Sequence, residues 1–296
     1  MIDKTDQYNR FLGGWVGAFL GNVLGSYTEG KSPAQVEDSF PRGLQVLPAP
    51  TAPSGLAKVL RETGEAISSR TFPRPPRKSD LGLLSPVLRA ITPGLSSVPA
   101  GLSPDELDEF VLRSIGQDDP PFPAPSVLLA LWYARVLRVV VTTDDDGLQE
   151  VDEYLFGPID QIERPSPAFI RAKDDDQSYV WGEARLLLAE GVGTGLATLE
   201  RFDFTDPVLD PYTLAAGVVA WATDIRDETF ARSLAFLVSR GGDSSSLGMI
   251  GGAVLGARIG FDDLDPDLLE GLTGLDRLVE EGSRLFRAAQ EYKSGE

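Results

Sequence analysis

Two runs of glycine, each repeating every fourth residue, constrain this chain more than any other feature. Gly13, Gly17, Gly21 and Gly25 form the first, and Gly248, Gly252, Gly256 and Gly260 form the second. Spacing by four keeps the glycines on one slowly drifting stripe of a helix. A glycine inside a helix costs about 1 kcal/mol relative to alanine, so several in register imply a compensating gain. Close backbone-to-backbone packing at the centre of a bundle supplies it most simply, a logic familiar from membrane helices. The apolar run Phe11 to Gly25 covers only 15 residues and contains Asn22, short of the roughly 18–20 that cross a bilayer. The ladders themselves read as structural, and they position whatever lies at their ends.

The second ladder opens with Gly241-Gly242-Asp243-Ser244-Ser245-Ser246. Any of the four side chains after the Gly-Gly turn can N-cap the helix. The free N–H groups and helix dipole equally make an anion site, and both readings stay open. Past the first ladder come Ser26-Tyr27-Thr28-Glu29. Glu29 reads either as an ordinary surface carboxylate or as a functional one, because a negative charge beyond a helix C-terminus is slightly unfavourable.

Apolar spacing is helical nearly everywhere. It predicts helices near 8–26, 54–68, 103–115, 124–141, 177–190, 210–222, 227–240, 245–259 and 272–291. Ser103 with Glu106 has capping-box spacing and Pro104 suits the first helical position; Asp227 is a second expected N-cap. No linker divides the chain, so residues 1–296 are expected to form a single all-α domain. Residues 40–53 and 68–80 read as irregular. The second is basic and proline-rich, and could dock an acidic protein partner or simply be a solvated loop. The acidic clusters Asp144-Asp145-Asp146 and Asp174-Asp175-Asp176 read as polar loops or caps.

Composition narrows the chemistry. With 27 basic and 45 acidic residues the net charge is −18, which disfavours nucleic acid and anionic membranes as partners. The chain has no Cys and no His. Disulfides, thiol nucleophiles, Ser-His-Asp triads and His- or Cys-built zinc sites are excluded. Carboxylate, Lys or Tyr remain for acid–base work, with an oxygen-held Mg²⁺ as the metal option. The start of the chain lacks a clearly basic segment before its apolar stretch, so a cytoplasmic location is expected.

The motifs together resemble the ADP-ribosylglycohydrolase family. That family opens with a Gly-x-x-x-Gly-x-x-x-Gly-Asp-Ala-Leu-Gly helix followed by a Glu, carries Thr-Asp-Asp-Thr some thirty residues later, and has Gly-Gly-Asp-Thr-Asp-Thr before a second glycine ladder. Here Gly21-Asn22-Val23-Leu24-Gly25 leads to Glu29, and Gly241-Gly242-Asp243-Ser244-Ser245-Ser246 leads to Gly248. The text from Thr213 through the helix at 230–239 is also similar, whereas about 80–200 matches poorly.

The resemblance implies a single compact orthogonal helical bundle that removes ADP-ribose from proteins or small acceptors, using two Mg²⁺. Carried over by position, Glu29 and Asp243 are the catalytic candidates. Asn22, Gly242, Ser244, Ser245 and Ser246 are the ligand-binding candidates. Asp243 and Ser246 are a remnant of the metal site. The Thr-Asp-Asp-Thr motif aligns best with Thr51-Ala52-Pro53-Ser54, both aspartates gone, and Ser245 stands where a further aspartate belongs. One remaining carboxylate of four should not hold paired Mg²⁺, so no cofactor is expected. Three functions follow. The chain is a pseudoenzyme whose cleft binds ADP-ribose or an ADP-ribosylated protein, a hydrolase with altered metal dependence, or a non-catalytic scaffold.

Overall fold

The structure, a computed structural model, describes residues 4–41, 43–44, 61, 64, 84–116, 122–143, 155, 157, 159–163, 165, 170–171, 177–198, 210–225 and 228–293. Thr51, Ala52, Pro53 and Ser54, most of the expected helix at 54–68, the basic stretch 68–80, both acidic clusters and Asp227 lie outside the described residues.

The chain is all-α. Its elements are α1 (Lys4–Thr28), α2 (Pro33–Ser39), α3 (Ser85–Ser96), α4 (Pro104–Ile115), α5 (Ala124–Thr142), α6 (Gln177–Thr198), α7 (Pro211–Asp224), α8 (Phe230–Val238), α9 (Ser244–Ile259), α10 (Pro266–Gly271) and α11 (Leu275–Lys293). Between them, β1 (Phe122–Pro123) and β2 (Ile170–Arg171) pair in parallel, Phe122 opposite Ile170.

The two ladders form the central antiparallel pair, α1 against α9. A Cβ added at Gly13 would come under 3.0 Å from the carbonyl oxygen of Gly256; so would one at Gly17 with Gly252, and one at Gly21 with Gly248. The reverse clashes hold as well, from Gly248, Gly252 and Gly256 back to α1. Each step of four up α1 is matched by a step of four down α9, so the register carries on to set Gly25 against the backbone of Ser244. A smaller version joins α6 to α7, where Gly195 abuts Gly217 and Gly191 abuts Thr213.

Other helices wrap this pair. Trp15 of α1 is buried and its indole N–H donates to the Leu278 carbonyl of α11 at 3.1 Å. Tyr133 of α5 is buried and donates to the Ile250 carbonyl of α9 at 2.7 Å. By length and composition α5 could cross a membrane, but 83% of its apolar window is buried inside the fold; it is a core helix. Arginines close helix ends: Arg10 donates to the carbonyl of Thr143 at 2.9 Å, past α5, and Arg258 to that of Ala222 at 3.1 Å, near the end of α7. Carbonyls left without an intrahelical partner are satisfied in this way.

Three described helices have no counterpart in the sequence reading: α2, α3 and α10. In α3 the pair Pro93-Gly94 reads as a break, since an interior proline costs about 3 kcal/mol. Burial overrides it: every residue from Ser85 to Ser96 is buried. Gly94 lets the backbone at Ala134 approach to 3.0 Å from where a Cβ would sit. Ser103 and Glu106 do form the expected capping box. At α8 the cap is Thr229, whose hydroxyl accepts the Arg232 N–H at 3.3 Å, rather than Asp227.

Candidate functional site

The α1–α9 register ends in a small assembly of polar groups. Because Gly25 meets Ser244 in van der Waals contact, the Ser244 hydroxyl can donate to the Gly25 carbonyl at 2.9 Å and accept from Thr28 Oγ1 at 2.9 Å. Thr28 and Ser244 are both fully buried. The Ser244 hydroxyl is therefore turned into the helix interface.

The turns beyond the two helices are sewn together. Gly30 N donates to the Gly242 carbonyl at 2.9 Å, and Gly242 N donates to the Lys31 carbonyl at 3.2 Å. Gly241 has φ of 71° and lies so close to the Lys31 carbonyl that a Cβ would clash with it. Only glycine meets both demands, left-handed backbone and no side chain.

This pairing holds Glu29 over the start of α9. Glu29 Oε2 accepts the Ser245 N–H at 2.8 Å. Asp243 caps the same helix, its Oδ1 accepting the Ser246 N–H at 3.4 Å. Two carboxylates from opposite ends of the chain thus share one helix N-terminus, where the dipole favours negative charge. The Glu29 pKa is raised above its ordinary value: burial is the largest cause, the Ser245 hydrogen bonds pull it back, and the negative charge of Asp243 pushes it up again.

Of the other candidates, Asn22 lies fully buried in α1, three residues before Gly25. Ser245 and Ser246 are buried in the first turn of α9; Asp243 is exposed, and Glu29 is exposed as a residue while its carboxylate is partly covered where it meets Ser245. Glu29, Asp243, Gly242 and the three serines therefore gather at one place. Among the described residues, no group of three or more acidic, His or Cys side chains is placed to hold a metal ion. Thr28, Gly30 and Lys31 also belong to the assembly. Sequence inspection passed over them because two of the three act through the backbone, which no residue type announces.

Chemically, ionised carboxylates accept hydrogen bonds and donate none. An exposed pair of them suits a partner rich in hydroxyl groups, such as a sugar diol.

Comparison with known proteins bears on the fold and the family. The ADP-ribosylglycohydrolase profile matches residues 97–295, which takes in most of the middle region, about 80–200, where the motifs themselves show little resemblance. A solved chain described as "ADP-ribosylglycohydrolase-related protein complex" superposes with a TM-score of 0.61, covering 96% of this chain and 99% of that one at 16% identity. At such identity the likeness concerns the fold. No curated protein matches. Two motif clusters more than two hundred residues apart meet at one helix end, and the family profile covers well over half the sequence: the chain belongs to the ADP-ribosylglycohydrolase family.

Proposed function

We propose that this chain binds ADP-ribose, or a protein carrying it, at the Glu29–Asp243 site without the family's two-metal catalysis. The observation that carries the proposal is the Ser245 N–H on Glu29 Oε2 at 2.8 Å. It ties one of the site's two carboxylates to the start of α9, while the other serves as the helix cap. Mg²⁺ surrenders hydration reluctantly and takes carboxylates in near-octahedral array. Glu29, Asp243 and the Ser245 and Ser246 hydroxyls are a poor match for one such ion and do not fit a pair. A ribose asks less: its hydroxyls can donate to either carboxylate, and neither group needs a metal to accept them.

Two titrations test this. ADP-ribose should raise the melting temperature of the protein, and calorimetry with MgCl₂ should show no tight binding. Tight Mg²⁺ uptake that Asp243→Ala abolishes would overturn the metal-free reading.

One observation favours a second reading, an active hydrolase. A carboxyl with a raised pKa is better suited to exchange a proton with a leaving group, and Glu29 is the group so placed. Release of ADP-ribose from modified protein, lost in Glu29→Gln, would establish it.

A further inference from the structure

A pocket of about 160 Å³ lies between α3, α4 and α11. Neither α1 nor α9 contributes to its lining, so it is separate from the Glu29–Asp243 site. Its walls are largely apolar. Ala100, Leu102 and Ala289 form a small cluster apart from the main core, with Phe110 packed against it. Tyr292, 47% exposed, stands beside them. The Phe110 and Tyr292 rings lie 6.4 Å apart between centres and are tilted by 37°. Ring centres packed edge-to-face or offset sit roughly 4.5–7 Å apart, so this open pair can take a third ring.

One uncharged polar group interrupts the apolar lining. Ser96 ends α3, is 1% exposed and lines the pocket. Its hydroxyl meets no hydrogen-bond partner among the described residues. A buried hydroxyl left unpaired costs stability, and a helical serine has an easy remedy in the carbonyl one turn back. Ser97 and Ser114 take that remedy, donating to the carbonyls of Gly94 at 2.8 Å and Phe110 at 2.9 Å. Ser96 does not. Ser85 and Thr92 on the same face of α3 are unpaired as well, but neither lines this pocket. The charged lining groups offset one another. Glu109 pairs with Arg113, and Glu106 accepts the Ser103 N–H at 2.6 Å while its charge acts on Arg138. The pocket therefore favours neither a cation nor an anion.

We propose that this pocket binds a neutral molecule of the phenol class, one aromatic ring bearing one hydroxyl. Size sets the first limit: an apolar cavity of about 150 Å³ holds benzene. The Phe110 and Tyr292 rings favour an aromatic body over an aliphatic one. Ser96 Oγ can donate to a ligand hydroxyl or accept from it, which gives this buried group the partner it otherwise lacks. Drug-sized ligands need roughly 300 Å³ or more, so ADP-ribose does not fit here. The inference stands independently of the ADP-ribose reading above.

The test is fluorine NMR of the full chain with para-fluorophenol, and with para-fluorotoluene as the same ring lacking the hydroxyl. Para-fluorophenol should bind with a dissociation constant of about 1 mM or lower, within reach of so small a molecule. Para-fluorotoluene should bind roughly five- to tenfold more weakly, the worth of one hydrogen bond. Ser96→Ala removes an unpaired hydroxyl and so keeps the fold; it should erase the difference between the probes and leave para-fluorotoluene binding unchanged. Ala289→Leu fills the pocket from α11 and should abolish binding of both. Ala100→Leu fills it from the α3–α4 turn and serves if Ala289→Leu does not fold. Para-fluorobenzoate and para-fluorobenzylamine should each bind more weakly than the phenol. Four results would overturn the proposal: no line broadening of para-fluorophenol at about tenfold that concentration, an equal loss of both probes in Ser96→Ala, binding that survives the filled pocket, or a charged ring that binds better than the neutral one. So would a concentration-dependent dimer that the filling variants abolish, since a second copy would then be the occupant.

Discussion

The Ser245 N–H reaches the Glu29 carboxylate across 2.8 Å, joining residues 216 positions apart in sequence. Neither residue could find the other without the glycine register behind them. That register sets Gly25 on Ser244, and the next turn on each side then has one place to go.

The ladder should be intolerant of a single methyl group. At Gly21 an added Cβ would lie under 3.0 Å from the oxygen and carbon of Gly248, both backbone atoms of a helix that cannot yield locally. Gly21→Ala should cost about 3 kcal/mol or more, at the upper end of overpacking. Gly193 is the control. It lies exposed in α6, with nothing within 4 Å of a Cβ. Gly193→Ala should stabilise by about 0.5–1 kcal/mol through helix propensity alone. Urea denaturation of both variants measures the contrast.

Glu29 should make stability fall as pH rises. Its folded pKa is raised, chiefly by burial. Both folded and unfolded chains hold the proton below the ordinary value near 4.5. Above it the unfolded chain releases its proton first, so the contribution of this group is lost as pH climbs through the raised folded value. Glu29→Gln keeps an acceptor for the Ser245 N–H and removes the titration. The stability difference between wild type and variant should therefore shift against the wild type across that window. A difference that stays flat with pH would mean Glu29 ionises freely in the folded chain.

How far the sequence carried this fold is clearest in single residues. The ladders were legible because only glycine permits backbone contact between helices; that Glu29 and Asp243 share a site followed from the family resemblance, and the register between the ladders supplies the physical reason. Helix α3 was not, because Pro93 and Gly94 locally argue for a break, and burial of the whole segment outweighs them. Thr229 caps α8 where Asp227 was expected, since several short polar residues there satisfy the same rule. Ser244 resembled its two serine neighbours in sequence, yet its hydroxyl is spent on Gly25 and Thr28.

Asp243 should act on stability and on its neighbour by separable routes. As N-cap of α9 it holds the Ser246 N–H, so Asp243→Ala should cost about 1 kcal/mol. Asp243→Asn retains the cap oxygen and removes only the charge. The carboxylate of Asp243 is one cause of the raised Glu29 pKa, so in Asp243→Asn that pKa should drop toward its ordinary value while melting changes little. Carbon-detected titration of the Glu29 carboxyl reads the shift directly. An unmoved titration curve would separate the two groups electrostatically.

Restoring an aspartate at residue 245 should make this helix end bind metal. Ser245 is buried beside Glu29, two residues after Asp243 and next to Ser246. Ser245→Asp would place a third carboxylate against two others around one helix end. Without a counter-ion the added charge repels both neighbours and must be desolvated, so the variant should melt below wild type in EDTA. Mg²⁺ would neutralise the cluster, and at tenfold excess over its dissociation constant should return about 1.4 kcal/mol. Adding Ala52→Asp and Pro53→Asp should tighten that uptake further if residues 51–54 stand where the family keeps its other acidic motif. Calorimetry on the single and triple variants decides both points. Metal-responsive melting in Ser245→Asp that the other two changes leave unaltered would place the missing motif elsewhere, whereas no response in either variant would remove the Asp243 helix end from consideration as a former metal site.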